Sequence, residues 1–477
     1  MTMINFISNY RNHIFFLFII ILGLSIRFLS IEQQDLWYDE ILTFSIASDQ
    51  ISFYESHYLS TKLDGTPYFF SLILKTFFHI FTYDIIIGKI FLSIISVACI
   101  LSTSYLTYIL SKDNSYILAA FLTALNVFLL DYSSELRVYT FMYFFSSLSI
   151  IFYLKSLEAK KNKNFVIFSF ISTINFFLHP FSFLIYISFI IHSSILFVKK
   201  KFISKKLIIS LLIILILNIF YYLYYYLFTD NIKEEGWIQN VDIDFYYHYF
   251  FANFFGSRIL GVIFLLTLLF LFFKNFTYKK NNQIFLIILI LITYIFPLTF
   301  SYLIKPIFIP RYIIFVLIPI ITLISIFLFQ LQNKFLKNSL IVFLILMVSL
   351  NTLNETSFKK IYNQNYLERP QFTQSLKIIG VSDHKSYTIK FSHIIKNKKQ
   401  STLKIYDLYL KHLGKKLNLD TKYISENNYS KNSKNLYWII CDPIINKFNC
   451  SLEKNSGVKL IENINLYKLN LKLVEKI

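Results

Sequence analysis

Residues 14–40 read IFFLFIIILGLSIRFLSIEQQDLWYDE: an apolar run from Ile14 to Ile31, then Asp35, Trp37, Tyr38, Asp39 and Glu40 in close succession. A helix needs about 20 mostly apolar residues to cross the hydrocarbon of a bilayer, and the run is close to that length. It lacks a small-residue cleavage site and further runs follow it, so it reads as a retained anchor and not as a secretion signal. The acidic and aromatic residues at its exit read as chain leaving the membrane. These 27 residues therefore contain a span and a polar loop at its mouth.

Moving outward, runs of the same kind recur at Ile85–Leu110, Ser115–Leu130, Tyr139–Leu154, Phe165–Leu178, Phe181–Val198, Leu207–Phe228, Ile259–Phe273, Ile284–Leu303, Tyr312–Phe329 and Ser339–Leu353. Each is apolar nearly all round, as a helix among lipid and other helices should be. The spacing predicts about 11 transmembrane helices in a mostly α, polytopic membrane fold over residues 1–353. Composition agrees: 56% of the 477 residues are hydrophobic and 16% charged, against roughly 45–50% and 25% in soluble chains. A soluble enzyme, a disordered chain and a disulfide scaffold are thereby excluded.

The formal charge of +20 would suit a nucleic-acid partner if it were gathered on one face. Its distribution says otherwise. With the N-terminus placed in the cytoplasm, the inner loops carry 16 cations, among them Lys199, Lys200, Lys201, Lys205 and Lys206, against the acids Asp113 and Glu158. The outer loops carry 15 acids. The excess of inner Lys and Arg sets the expected orientation: N-terminus in, C-terminus out, with a bilayer and not nucleic acid as the partner surface. Residues 354–477 hold 22 Lys and Arg against 10 Asp and Glu and no apolar run of spanning length. Ser386–Phe391, Leu436–Cys441 and Leu466–Leu471 alternate as strands do, and Leu403–Leu413 has helical spacing. A small extracytoplasmic α/β domain is predicted there. Of the three cysteines, Cys99 lies in a span, and a bridge between Cys441 and Cys450 is left open.

The candidate chemistry lies on the outer side. The first loop, residues 32–84, is far longer than a turn requires. It opens with Asp39 and Glu40 beside low dielectric, a setting in which a carboxylate can take a proton from an attacking hydroxyl. The plainer reading is a solvated helix cap within an aromatic interface belt. Asp64-Gly65-Thr66-Pro67-Tyr68 then precedes the amphipathic stretch Phe69–Phe81. Asp131-Tyr132-Ser133-Ser134-Glu135-Leu136-Arg137-Val138-Tyr139 packs more charge than an external hairpin needs. His179-Pro180 marks the next outer turn, and Pro310-Arg311-Tyr312 the outer start of a late span. Arg311 is able either to snorkel to the headgroups or to grip a phosphate in bidentate fashion. Carboxylates for proton abstraction and arginines for phosphate suit a reaction with a phosphate leaving group.

At these residues the sequence resembles the GT-C glycosyltransferases, in particular the dolichyl-phosphate-mannose–protein mannosyltransferase-like proteins and their bacterial relatives. Trp37-Tyr38-Asp39-Glu40 is similar to that family's Asp-Glu motif in the first external loop, and Asp64–Lys75 to its Pro-Pro segment. Asp131–Tyr139 is similar to a segment ending Arg-x-Tyr, and Pro310-Arg311-Tyr312 to a Pro-Arg-Tyr element; the likeness covers about residues 10–330. The resemblance implies an integral-membrane, hexosyl- or mannosyl-type glycosyltransferase. Such an enzyme moves a sugar from a polyprenyl-phosphate donor to a hydroxyl on a glycan, lipid or protein, in a bacterial plasma membrane. Asp39 is then the base and Glu40 its support in acceptor or metal binding. Arg137 and Arg311 contact the lipid phosphate with Tyr139 and Tyr312 nearby, and His179 lines the donor pocket. Asp64, Lys89 and Glu135 complete the substrate-binding set. A divalent metal stays open as a cofactor. Thr66 and Tyr68 replace the family's His and second Pro, and Lys89 stands where relatives often carry Arg. The rival reading is a transporter or flippase of a lipid-linked or anionic solute, which calls for charges inside the spans. Arg27 and Lys89 are the main ones there.

Overall fold

The computed structural model describes residues 3–29, 31, 35–64, 67–158, 162–200, 204–228, 253–275, 281–354, 369–391, 399–423, 436–442 and 458–476. In chain order its main helices are α1 (Met3–Leu29), α2 (Tyr38–Ile46), α3 (Phe53–Leu63), α4 (Phe69–Ile80), α5 (Ile85–Ser111), α6 (Ser115–Ala124), α7 (Val127–Asp131), α8 (Tyr139–Glu158) and α9 (Asn162–Leu178). They continue with α10 (Phe183–Lys200), α11 (Lys205–Phe228), α12 (Arg258–Asn275), α13 (Asn281–Leu303), α14 (Leu317–Phe329), α15 (Lys334–Asn354), α16 (Phe372–Val381) and α17 (Lys399–Lys416). The strands are β1 (Ser386–Phe391), β2 (Lys422–Tyr423), β3 (Leu436–Asp442), β4 (Val458–Leu466) and β5 (Leu469–Lys476).

Among the described residues eight helices are long and apolar enough to cross a membrane: α1, α5, α8, α10, α11, α13, α15 and the helical stretch Pro310–Phe329, kinked at Ile313, that contains α14. The protein is a polytopic helical membrane protein. Three of the 11 predicted runs are not among these eight. Two of them form the helices α9 and α12, of 17 and 18 residues. The third, Ser115–Leu130, is broken into α6 and α7.

The physical cause of that break is Asn126. Its side chain accepts from the Leu129 amide at 3.0 Å, capping α7, and donates to the Phe254 carbonyl at 3.0 Å. A broken helix at membrane depth frees carbonyls that hydrocarbon cannot satisfy. Here Arg27 Nη1 donates to Ala124 O at 3.0 Å and Thr352 Oγ1 to Leu125 O at 2.8 Å. Arg27 is 1% exposed, and it also donates to Ser96 Oγ at 2.6 Å and Gly23 O at 3.0 Å. It ties α1 to α5 and α6. Gly23 permits this approach: a Cβ there would lie 2.7 Å from Ile100 Cδ1 and 3.3 Å from Ala124 Cβ.

The chain divides into two compact units, one of residues 1–31 and 86–362, the other of residues 32–85 and 363–477. The first loop, residues 32–84, and the tail share the second unit. In the first unit α14 is the pillar, buried from Leu317 to Leu328, with α6, α12 and α13 against it. A helix apolar all round belongs in such a place. In the second unit α2 and α3 lie on α17, and a five-stranded sheet runs in the order β2-β1-β3-β5-β4. β1 is parallel to β2 and β3; β5 is antiparallel to β3 and β4.

The predicted strand Leu466–Leu471 straddles the two-residue turn Tyr467-Lys468 of the β4–β5 hairpin, with Lys468 at φ 51°. Leu466 ends β4 and pairs with Leu469 at the start of β5, so the two leucines share a face across the turn. Cys99 is free and buried, and Cys441 is disulfide-bonded. Cys450 lies outside the described residues.

Candidate functional site

The predicted site residues form two sets, one in each unit. In the loop-and-tail unit the set is built on α2, whose first turn carries Asp39 and Glu40. Carboxylates at this position interact favourably with the positive end of the helix dipole. Asp39 is half-buried, while Glu40 is turned inward, with Arg369 Nη2 3.9 Å from its Oε2. The same guanidinium lies over the Trp37 ring, 5.3 Å from its centroid.

Further contacts fix α2 at both ends. Asp35 accepts from the amide (2.7 Å) and the hydroxyl of Thr373, supplying α16 with a cap that its own N-terminus lacks. The Leu36 amide donates to Tyr409 Oη at 3.2 Å, and Ser45 Oγ to Ile405 O at 2.7 Å. Beyond the C-terminal end of α2, buried Lys75 donates to the carbonyls of Ser48 and, at 2.8 Å, of Ile51. Burial holds the Lys75 ammonium below its ordinary pKa, with Asp49 and Glu55 opposing. Asp64 caps the end of α3 and is buried; Thr66 lies outside the described residues.

In the membrane unit, the N-terminal end of α8 packs against the 3₁₀ segment Pro310–Val316, beside the turn between α9 and α10. This assembles Arg137, Tyr139, His179, Arg311 and Tyr312. The rings of His179 and Tyr312 are 4.8 Å apart, those of Tyr139 and Tyr312 6.4 Å and stacked, and those of Tyr139 and His179 6.2 Å. The Arg311 guanidinium sits 5.7 Å from the Tyr139 centroid and 6.0 Å from that of Tyr312, within cation–π range. Phe181 closes the ring cluster at 5.1 Å from Tyr312.

His179 Nδ1 accepts from the Phe181 amide at 3.2 Å, which leaves the Nε2 hydrogen as the donor of a neutral imidazole. Burial first, then Arg137 and Arg311, push its pKa down to about 3. Tyr132, 5.2 Å from the Tyr139 ring, has its phenol pushed far up by burial and by Glu135. Glu135 and Arg137 are both buried, in a tight turn where the Arg137 amide donates to Glu135 O at 2.6 Å. Two arginines, a neutral imidazole N–H and stacked phenols make a place suited to an anion with an apolar or sugar-like body.

Lys89 is buried and donates to the Ile31 carbonyl at 3.4 Å, at the end of α1. Among the described residues no group of three or more His, Cys, Asp or Glu comes together as a metal-ligand set. The reading of single motifs missed Arg369, Asp35 and Lys75 as supports of α2. Arg369 stands alone beside Pro370 in a Lys-rich tail, and only a pairing rule across the whole chain would have singled it out.

No family model matches this chain, and no curated protein matches it in sequence. Solved folds do. ArnT from Cupriavidus metallidurans in the apo state superposes with a TM-score of 0.64 at 8% identity, over 96% of this chain and 97% of that one. The chain has the fold of ArnT. The same ArnT bound to undecaprenyl phosphate gives 0.59 at 9% identity, over 96% and 97%. The archaeal oligosaccharyltransferase AglB from Archaeoglobus fulgidus, in complex with an inhibitory peptide and a dolichol-phosphate, gives 0.55 at 10% identity, over 91% and 70%. At these identities the likeness is one of fold alone.

Proposed function

We propose that this GT-C chain is a membrane glycosyltransferase. It moves a sugar of hexose type from a polyprenyl-phosphate donor to a hydroxyl acceptor on the extracytoplasmic side of a bacterial plasma membrane. The observation that carries the reading is the Arg137–His179–Arg311 cluster with its aromatic wall. Its charge and its neutral imidazole N–H suit a lipid-linked phosphate, and the fold neighbours include one bound to undecaprenyl phosphate and one in complex with a dolichol-phosphate.

Asp39 takes the proton of the acceptor hydroxyl. The acceptor oxygen forms a bond to the anomeric carbon as the bond from that carbon to the phosphate oxygen breaks, with its electron pair leaving on the phosphate. Configuration inverts. Arg137 and Arg311 stabilise the growing phosphate charge, and His179 Nε2–H adds a donor that needs no proton from solvent. Of the two carboxylates, Asp39 suits the base because it is the less buried; Glu40, facing Arg369, orients the turn that carries it. Glu135, Tyr139 and Tyr312 complete the donor pocket, while Asp64 and Lys89 act through the ends of α3 and α1.

The transport reading is weaker. Arg27 is engaged by Ser96, Gly23 and Ala124, and Lys89 by Ile31, so these two cations serve helix packing. The test is incubation of the purified protein with a radiolabelled polyprenyl-phosphate sugar and a mixed acceptor pool. Consumption of the donor by wild type and its loss in Asp39→Asn, with the variant still folded and inserted, is the expected result. Wild-type turnover by Asp39→Asn would overturn the assignment of the base.

A further inference from the structure

Away from the Arg137–His179–Arg311 cluster, a groove of about 540 Å³ runs between α9 and α11. Phe165, Val166 and Phe170 form one wall, Ile209, Ile213 and Leu217 the other; the four-residue steps 166–170 and 209–213–217 set side chains in line along each helix. Ser169 and Ser210 turn their hydroxyls back onto the Phe165 carbonyl, at 3.0 and 3.4 Å, so the interior presents carbon. One end differs. There Lys206 Nζ donates to Asn162 Oδ1 at 2.5 Å across the mouth, with Lys163 and Lys205 exposed beside it.

That end is also where α9 and α11, of 17 and 24 residues, both begin. Two helix N-termini and the Lys206 ammonium therefore bear on this end of the groove, and each favours an anion. The opposite end of α9 leads to His179. The Lys-rich mouth and the candidate phosphate site thus lie at opposite ends of one helix, and the groove does not belong to that site. Basic pockets between transmembrane helices are suited to anionic headgroups, with about 1 kcal/mol per Lys near the surface, or fivefold in binding.

We propose that this groove is a binding site for an anionic phospholipid. One acyl chain lies along the α9–α11 wall, and the phosphate sits at Lys206. The groove, of about 540 Å³, takes one acyl chain and is overfilled by a long polyprenyl chain; a diacyl phospholipid seats one tail in it and leaves the other in the bilayer. The site does not depend on the transfer reaction proposed above.

The test is native mass spectrometry of the full chain from detergent, with three probes: phosphatidylglycerol, phosphatidylcholine of the same tails, and a polyprenyl phosphate. Phosphatidylglycerol should be retained at least fivefold better than phosphatidylcholine. Lys206→Gln, at an exposed residue, should weaken that retention about fivefold, and Ile213→Trp, which fills the groove from its lipid side, should abolish it. Lys337→Gln, a basic residue on another helix, should leave it unchanged. Equal retention of the two phospholipids, insensitivity to Lys206→Gln, or preferential retention of the polyprenyl phosphate at this groove would each overturn the proposal.

Discussion

Arg369→Ala should loosen α2, the helix that carries Asp39, without touching Asp39 itself. The Arg369–Glu40 pair spans 3.9 Å, with side-chain exposures of 26% and 4%. At an effective dielectric near 20, a pair at that distance has a gross Coulomb energy of about 4 kcal/mol. Partial exposure of the guanidinium, desolvation of the carboxylate and salt screening reduce this to about 1–2 kcal/mol. Stacking of the guanidinium over Trp37 at 5.3 Å adds about 1 kcal/mol.

The loss should therefore be about 2–3 kcal/mol in the local opening of residues 38–46. At about 1.4 kcal/mol per factor of ten, that is roughly a 30- to 150-fold loss of amide protection. Hydrogen exchange read by mass spectrometry on the full chain in detergent measures it. Protection in α8 and α14 should be unchanged. In a Glu40→Gln background the same substitution should cost only the stacking share, about fivefold. A loss below about threefold in the single variant, or full additivity in the double, would refute the claim that the tail restrains the loop through this pair.

Other expectations follow from the membrane unit. His179 should stay neutral in the folded protein from pH 8 down to about 4, read by NMR of selectively ¹⁵N-labelled histidines. Its folded pKa of about 3 lies below the ordinary 6.5, so its contribution to stability is complete above pH 6.5 and is lost as pH falls from there towards 3. A His179 resonance titrating near 6.5 would contradict the burial and charge argument, whereas Arg311→Gln should raise the pKa while leaving it below 6.5. Arg311→Lys keeps the charge but gives up the planar stack on Tyr139 and Tyr312; it should raise KM for the donor about tenfold with a smaller change in kcat. Arg27→Met should lower stability in detergent by about 2 kcal/mol or more, because the Ala124 carbonyl and the Ser96 hydroxyl lose a charged donor inside the membrane. A melting temperature equal to wild type would show that α1 does not depend on that link.

The two sets of site residues were legible to different degrees, for physical reasons. Arg137, His179 and Arg311 stand at the ends of apolar runs, where a charged or titratable residue is conspicuous against hydrocarbon, and a short turn leaves each little freedom of place. Asp39 and Glu40 were conspicuous in the same way. Their different surroundings were not: adjacent residues on a helix point about 100° apart, and which carboxylate turns inward depends on what packs against α2. Asp35 looked like another acid of an outer loop until Thr373 was found against it. The break at Asn126 was hidden because apolar residues continue on both sides of it.

Taken alone, the sequence determined the membrane class, the apolar runs that become helices, and the kinds of charge at their ends. These properties follow from local composition and period, which are set over some 20 residues at most. Tertiary structure alone decided that the first loop and the tail form one unit and that Arg369 faces Glu40. It also decided that Arg27 satisfies a broken helix and that His179 is held neutral between two arginines. Each of these is a contact between residues far apart in the chain, and neither propensity nor hydropathy reports which distant partner a buried charge will meet.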